Sequence, residues 1–101
     1  MPFQPTVYIV TNRSHGTPYI GVTSNLMQRI HQHREGIVPG FTQKYRLKRL
    51  VYFEQLGTME LAITREKQLK NWHRPWKMNL IEAANPHWRD LAEDLGFEPL
   101  E

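Results

Sequence analysis

Thr6-Val7-Tyr8-Ile9-Val10-Thr11, then Asn12-Arg13-Ser14-His15-Gly16-Thr17, then Pro18-Tyr19-Ile20-Gly21-Val22: this run decides how the chain folds. The first block is β-branched and aromatic, side chains that suit a pleated, half-buried surface, and it reads as a strand. The second block is turn chemistry. The third reads as the returning strand of a hairpin, with Pro18 tolerated at its first residue. Alternation puts Val7 and Ile9 on one face and Tyr8 on the other. In the returning strand Tyr19 and Gly21 share a face, with Ile20 and Val22 opposite. A register that aligns the two strands opens both phenols and the bare backbone at Gly21 on one concave site, where a backbone or phosphate could come close.

Beyond the hairpin, Thr23 or Ser24 can cap a helix from about Asn25 to Glu35, stopped by Gly36 and carrying Leu26 and Ile30 as an apolar stripe. Ile37 to Tyr45 reads as an irregular loop that turns at Pro39-Gly40. Leu47 to Glu54 contains Leu50-Val51-Tyr52-Phe53, the strongest strand signal in the chain. Thr58 can cap a second helix from Met59 to about Trp72, and Pro75 suits the first turn of a third, to Ala84. Asn85-Pro86 repeats the device and predicts a fourth, ending near Gly96, with Trp88, Leu91 and Leu95 on its buried face. The order β-β-α-β-α-α-α predicts an α+β fold, a small three-stranded antiparallel sheet flanked by helices.

At 101 residues the chain holds one core, so residues 1–101 are expected to be a single domain. No apolar run reaches the length of a membrane span. Met1-Pro2-Phe3-Gln4-Pro5 has neither the basic nor the apolar region of a signal peptide. The absence of cysteine removes disulfides and thiolate metal sites and fits a reducing, cytoplasmic location. The net charge of +3 conceals an asymmetry. Residues 1–81 carry twelve Lys/Arg against four acids, whereas residues 82–101 carry one against six. A basic body of this kind suits a polyanionic partner, although solvated surface lysines would produce the same count.

Three local features point to chemistry. Met59, Ala62, Ile63, Leu69 and Trp72 form one helical stripe, and Glu66 falls in its middle. A carboxylate facing a core is costly unless it is paired or binds a metal. The competing reading places Glu66 at the stripe's edge, paired with Arg65, Lys67 or Lys70. Arg29 and His33, four apart, lie one above the other on the first helix. Arg supplies a fixed, forked charge and His a group that titrates near neutrality, a pair suited to phosphate. The competing reading is a solvated basic face. Tyr8 and Tyr19 are the third feature. The five histidines show no zinc spacing, and there is neither a glycine-rich phosphate loop nor a nucleophile elbow.

Tyr8, then Tyr19-Ile20-Gly21, then Asn25-Leu26 with Arg29 and His33, and Glu66 on a later helix together resemble the GIY-YIG nuclease superfamily, in particular its compact stand-alone bacterial members. Those members share the look of Arg65-Glu66-Lys67-Gln68-Leu69-Lys70 and of Asn85-Pro86-x-Trp88-x-Asp90-Leu91. The resemblance covers about residues 5–92 and leaves an acidic tail, 93–101. One departure is that Thr6 stands where the first signature block has glycine.

The resemblance implies a divalent-metal-dependent endonuclease acting on nucleic acid, DNA in the first instance and directed by its structure, as in DNA repair. Glu66 would bind one Mg²⁺ or Mn²⁺, Arg29 would hold the scissile phosphate, and Tyr8 would take a proton from the attacking water, assisted by Tyr19 and His33. Because a phenol titrates near pH 10, that role calls for positive charge nearby, from Arg29, the metal or His33. Asn79, Asn71 and Asn85 compete for an asparagine that many members place after the metal glutamate. Gly21, Lys44, Arg46 and Lys48 are the expected nucleic-acid contacts, and a protein partner could supply specificity. The alternatives are a nucleic-acid-binding module with little or no catalysis, and an interaction domain whose acidic tail meets a basic partner.

Overall fold

Side-chain alternation in the three strands leaves apolar groups on both faces of the sheet, so helices are needed on both. The computed structural model describes residues 4–37 and 40–100 and has this layered arrangement. Strands β1 (Thr6–Thr11) and β2 (Tyr19–Thr23) form the hairpin, and β3 (Arg49–Gln55) pairs with the other edge of β1. The sheet is antiparallel, in the order β2-β1-β3, and every residue of the central strand is buried. The β1–β2 register sets Tyr8 opposite Gly21 and Val10 opposite Tyr19, the alignment that the shared site requires.

The register of β1 on β3 slips between Ile9 and Val10, so that Val51 is an extra residue between Tyr52 and Leu50. This bulge turns Leu50 towards the face bearing Tyr8 and leaves Val51 and Tyr52 on the other. The first face packs Tyr8, Val10 and Leu50 with Ile30, Leu47 and Ala92, and the second packs Val7, Ile9, Ile20, Val51 and Tyr52 with Ala62, Leu69, Ile81 and Trp88.

Helix α1 (Leu26–Arg34) is capped by Asn25, whose side chain accepts from the Gln28 amide at 3.2 Å. The expected caps were one or two residues earlier. Thr23 instead accepts from the Asn25 amide at 3.0 Å, so it shapes the turn that delivers the cap. The expected loop from 37 to 45 contains a short helix, α2 (Phe41–Lys44), and Pro39 of its predicted turn lies outside the described residues. Helix α3 (Met59–Asn71) starts at Thr58 as expected, with its hydroxyl accepting from the Leu61 amide at 3.1 Å. Its buried strip is narrower than the predicted stripe. Ala62 and Leu69 are buried, while Met59 and Ile63 are each 38% exposed, because the helix meets the sheet along one line only.

Helix α4 (Arg74–Ala84) has Pro75 in its first turn. The predicted fourth helix from Asn85 does not form. Asn85 closes residues 85–89 with its own side chain, accepting from the Arg89 amide and donating to the carbonyls of Arg89 and Val51 at 2.9–3.1 Å. Trp88 lies at φ 53°, outside helical space. Only a 3-10 helix, Leu91–Leu95, follows, and Gly96 ends it at φ 98°. Trp88 is nevertheless buried, stacked on His15 with ring centroids 4.7 Å apart. Among the described residues no helix is long and apolar enough to cross a membrane.

Candidate active site

The hairpin register and the inner face of α1 together position the first four groups. Tyr8 points from the middle of the central strand towards α1, where Ile30 and His33 are the buried residues, three apart on one face. The Tyr8 hydroxyl and His33 Nε2 lie 2.9 Å apart in a buried hydrogen bond that joins residues 25 apart in sequence. The two rings meet edge to face at 5.5 Å, and Tyr19 meets the same imidazole at 6.3 Å. Arg29, one helical turn before His33, lies close enough for its charge to act on the Tyr8 hydroxyl.

Glu66 reaches this cluster from α3, on the far side of the hairpin edge. Its side chain is 16% exposed, its carboxylate lies 3.5 Å from the Lys70 ammonium one turn on, and that ammonium sits 5.9 Å from the centre of the Tyr19 ring. The Glu66 charge is also felt at the Tyr8 hydroxyl. All five predicted residues, Tyr8, Tyr19, Arg29, His33 and Glu66, are thus drawn into one neighbourhood from two strands and two helices. Lys70 lies with them and pairs with Glu66, one of the three partners that the competing reading of this helix expects.

Gly21 has a different part from the one expected. A β-carbon there would stand 2.5 Å from both Cζ and the hydroxyl of Tyr8, far inside contact distance. The space that glycine leaves is therefore filled by the Tyr8 phenol, and Gly21 seats that ring.

Electrostatics keep the central pair neutral. Burial pushes the Tyr8 phenol up to about 12, against the pull of Arg29, with Tyr19 and Glu66 adding to the rise. Positive charge was expected to lower it, but in the protein's own environment burial outweighs Arg29. Burial, with Arg29 beside it, lowers His33 to about 4. His33 Nδ1 is buried with no hydrogen-bond partner, as are Arg34 Nε and Trp88 Nε1 elsewhere among the described residues.

The predicted phosphate-tracking residues do not join this cluster as a group. Arg46 and Lys48 line a separate recess of about 610 Å³ together with Arg34, Arg49 and Glu98, and Lys44 lies against its neighbour Tyr45. Of the asparagines, Asn85 is committed to the turn after α4, while Asn71 and Asn79 are exposed.

For a metal, the described residues hold no group of three or more His, Asp or Glu side chains. Glu66 supplies the one carboxylate among the residues gathered in the cluster. That fits Mg²⁺, which keeps several waters and is bound by one or two carboxylates plus substrate phosphate oxygens.

Residues 4–79 match the model of the GIY-YIG catalytic domain. A UPF0213 protein of Haloquadratum walsbyi is 33% identical over 78 residues, covering 77% of this chain and 86% of its own length. A UPF0213 protein of Staphylococcus saprophyticus is likewise 33% identical, over 77% of this chain and 94% of its own, and one from Staphylococcus aureus is 34% identical over 75% and 92%. No solved structure matches the chain. The three-stranded antiparallel sheet, the Tyr8 and Tyr19-Ile20-Gly21 strands that build it and the match across three quarters of the sequence agree, and the chain belongs to the GIY-YIG family of nuclease domains.

Proposed function

We propose that this protein is a divalent-metal-dependent endonuclease that hydrolyses phosphodiester bonds of structured DNA in the cytoplasm, with a protein partner supplying specificity. The observation that carries the reading is the convergence of Tyr8, Tyr19, Arg29 and His33 with the half-buried Glu66. A domain that only binds nucleic acid has no need of a half-buried carboxylate in the same cluster as a buried phenol.

Glu66 would hold one Mg²⁺ or Mn²⁺. When bound, the ion supplies charge stabilisation at the departing 3′-oxygen. Arg29 holds the scissile phosphate and offsets the negative charge that grows on its oxygens. Tyr8 accepts a proton from the attacking water as its own passes to Nε2 of His33, which is neutral at ordinary pH and 2.9 Å away. In that relay the phenol pushed up to about 12 never stands as a free phenolate, and the negative charge of a bound phosphate would raise the imidazole from about 4 so that it can keep the proton. Tyr19 packs on the His33 ring and holds its orientation. Lys70 lies beside Glu66 and restrains the carboxylate.

The high phenol pKa also supports a second reading, a nucleic-acid-binding module with little catalysis, and one experiment separates the two. Labelled duplex, branched and single-stranded DNA and RNA are incubated with the protein, with and without Mg²⁺ or Mn²⁺. The expected outcome is ion-dependent cleavage of a DNA structure, abolished in Glu66→Gln while its circular dichroism is unchanged. Binding without cleavage on every substrate hands the assignment to the binding module.

A further inference from the structure

Among the exposed Trp, Tyr and Phe side chains of the described residues Trp76 stands out, 56% exposed in the first turn of α4 against 47% for Tyr45. It is not a loose surface residue. Its ring meets Trp72 at 5.9 Å and an interplanar angle of 82°, and His73 at 6.0 Å and 86°, so two rings brace it by their positions. Trp72 is braced in turn, packed against the core and covered by the Arg65 guanidinium at 5.3 Å. A large indole held rigid with more than half its surface in water offers a flat apolar face at little entropic cost.

Its surroundings are cationic. Residues 65–77 contain Arg65, Lys67, Lys70, Arg74 and Lys77; Arg65 is paired with Glu54 and Lys70 with Glu66, which leaves Lys67, Arg74 and Lys77 in excess on this stretch. The platform is also tied to the candidate site. The Lys77 ammonium donates to the Lys70 carbonyl at 3.3 Å, and the Lys70 ammonium lies between Glu66 and Tyr19. Lys70 thus has its ammonium at the candidate site and its carbonyl bonded to Lys77, the residue after Trp76.

We infer that Trp76 is a stacking platform for an unpaired nucleobase, so that the strand this protein engages is single-stranded on the α4 side of the site. The charge around Trp76 argues for nucleic acid over an apolar protein surface. A stacked base is sequence-tolerant because every base has a π face, and the flanking lysines take its phosphates. The inference rests on the proposed nucleic-acid substrate and specifies its strand state.

The test is equilibrium binding of the full chain in EDTA at one fixed salt concentration, using fluorescein-labelled oligothymidine and duplex DNA of about 20 nucleotides, a length that spans one such site. Trp76→Ala should weaken single-strand binding roughly 5- to 150-fold, the equivalent of one lost base stack, and leave duplex binding within about twofold. Trp76→Phe should restore most of the loss, which a folding defect would not allow. Unchanged single-strand affinity in Trp76→Ala overturns the inference. So does unchanged affinity together with self-association, measured by sedimentation, that the substitution removes, since that gives the face to protein. Because no cleavage is read, a protein that never cuts but loses single-strand binding on Trp76→Ala defeats the nuclease reading and upholds this one.

Discussion

Helix α1 carries His33 and Arg34 side by side, and the two meet opposite kinds of surroundings. Arg34 faces Asp90, which is 2% exposed. One Asp90 oxygen accepts from Arg34 Nη2 at 2.6 Å, and the other accepts from the amides of Leu50 and Ala92 at 3.1 Å each. Arg34 also donates to the Glu98 carbonyl and lies 5.1 Å over the Phe97 ring. Both oxygens of the buried carboxylate are answered, although Arg34 Nε is itself buried without a partner, and the result pins β3, the 3-10 helix and the C-terminal segment to α1. His33, by contrast, satisfies one ring nitrogen with Tyr8 and leaves the other buried without a partner. Glu66 nearby has one ammonium at 3.5 Å. A closed polar network contributes cohesion, and an open one keeps donors and acceptors for a ligand.

The largest effect expected is on the closed side. Asp90→Ala leaves Arg34 uncompensated and the Leu50 amide without a partner, and should cost about 3–5 kcal/mol in urea unfolding. Tyr8→Phe, on the open side, should cost only about 1–3 kcal/mol, the penalty of stranding His33 Nε2. It should nevertheless lower cleavage by about 100- to 10,000-fold, the range of a lost general base. An Asp90→Ala protein of normal stability and no activity would invert the comparison.

Next is the pH dependence of His33. The unfolded chain takes up this proton near its ordinary value of 6.5 and the folded chain near 4. Between those values the unfolded state binds more protons, so stability falls as the pH drops through that window, by about 3 kcal/mol in total. Above pH 7 the group contributes no slope. Urea midpoints for wild type and His33→Gln should diverge in slope between pH 6.5 and 4 and run parallel above it. Parallel curves throughout would show that His33 takes its proton as easily folded as unfolded.

Gly21→Ala sharpens the geometry. Its β-carbon would fall 2.5 Å from the Tyr8 hydroxyl, and β1 cannot retreat because it is paired on both edges. Thermal melting should report a loss of about 1–3 kcal/mol from overpacking. Cleavage should fall further than stability, because the displaced group is the phenol itself. Wild-type melting and activity would mean that Tyr8 does not need this seat.

The smallest stability change is expected for Arg29→Ala, within about 0.5 kcal/mol, since it is neither buried nor part of the closed network. Its cleavage should nevertheless be mostly lost. Normal cleavage by this variant would return Arg29 to the solvated basic face of α1.

The sequence by itself determined what depends on near neighbours. The β-branched run at 6–11, the Thr58 cap and Pro75 in a first turn each act over a few residues, so β1, α3 and α4 were legible within a residue or two. The α+β class followed from the order of those elements, and the five residues proposed for the site were named from the resemblance to a known signature. Beyond the hairpin, contacts across the chain were not legible in it. The bulge at Val51 depends on how β3 lies on β1, and the turn at Asn85–Arg89 depends on the Val51 carbonyl reached across 34 residues. The same is true of the chemistry. Tertiary packing brought Tyr8 to His33, put Lys70 between Glu66 and Tyr19, filled the room at Gly21 with a phenol, and sent Arg46 and Lys48 to another recess. Burial belongs to the assembled fold and not to any segment, so the neutral Tyr8–His33 pair could be decided only there.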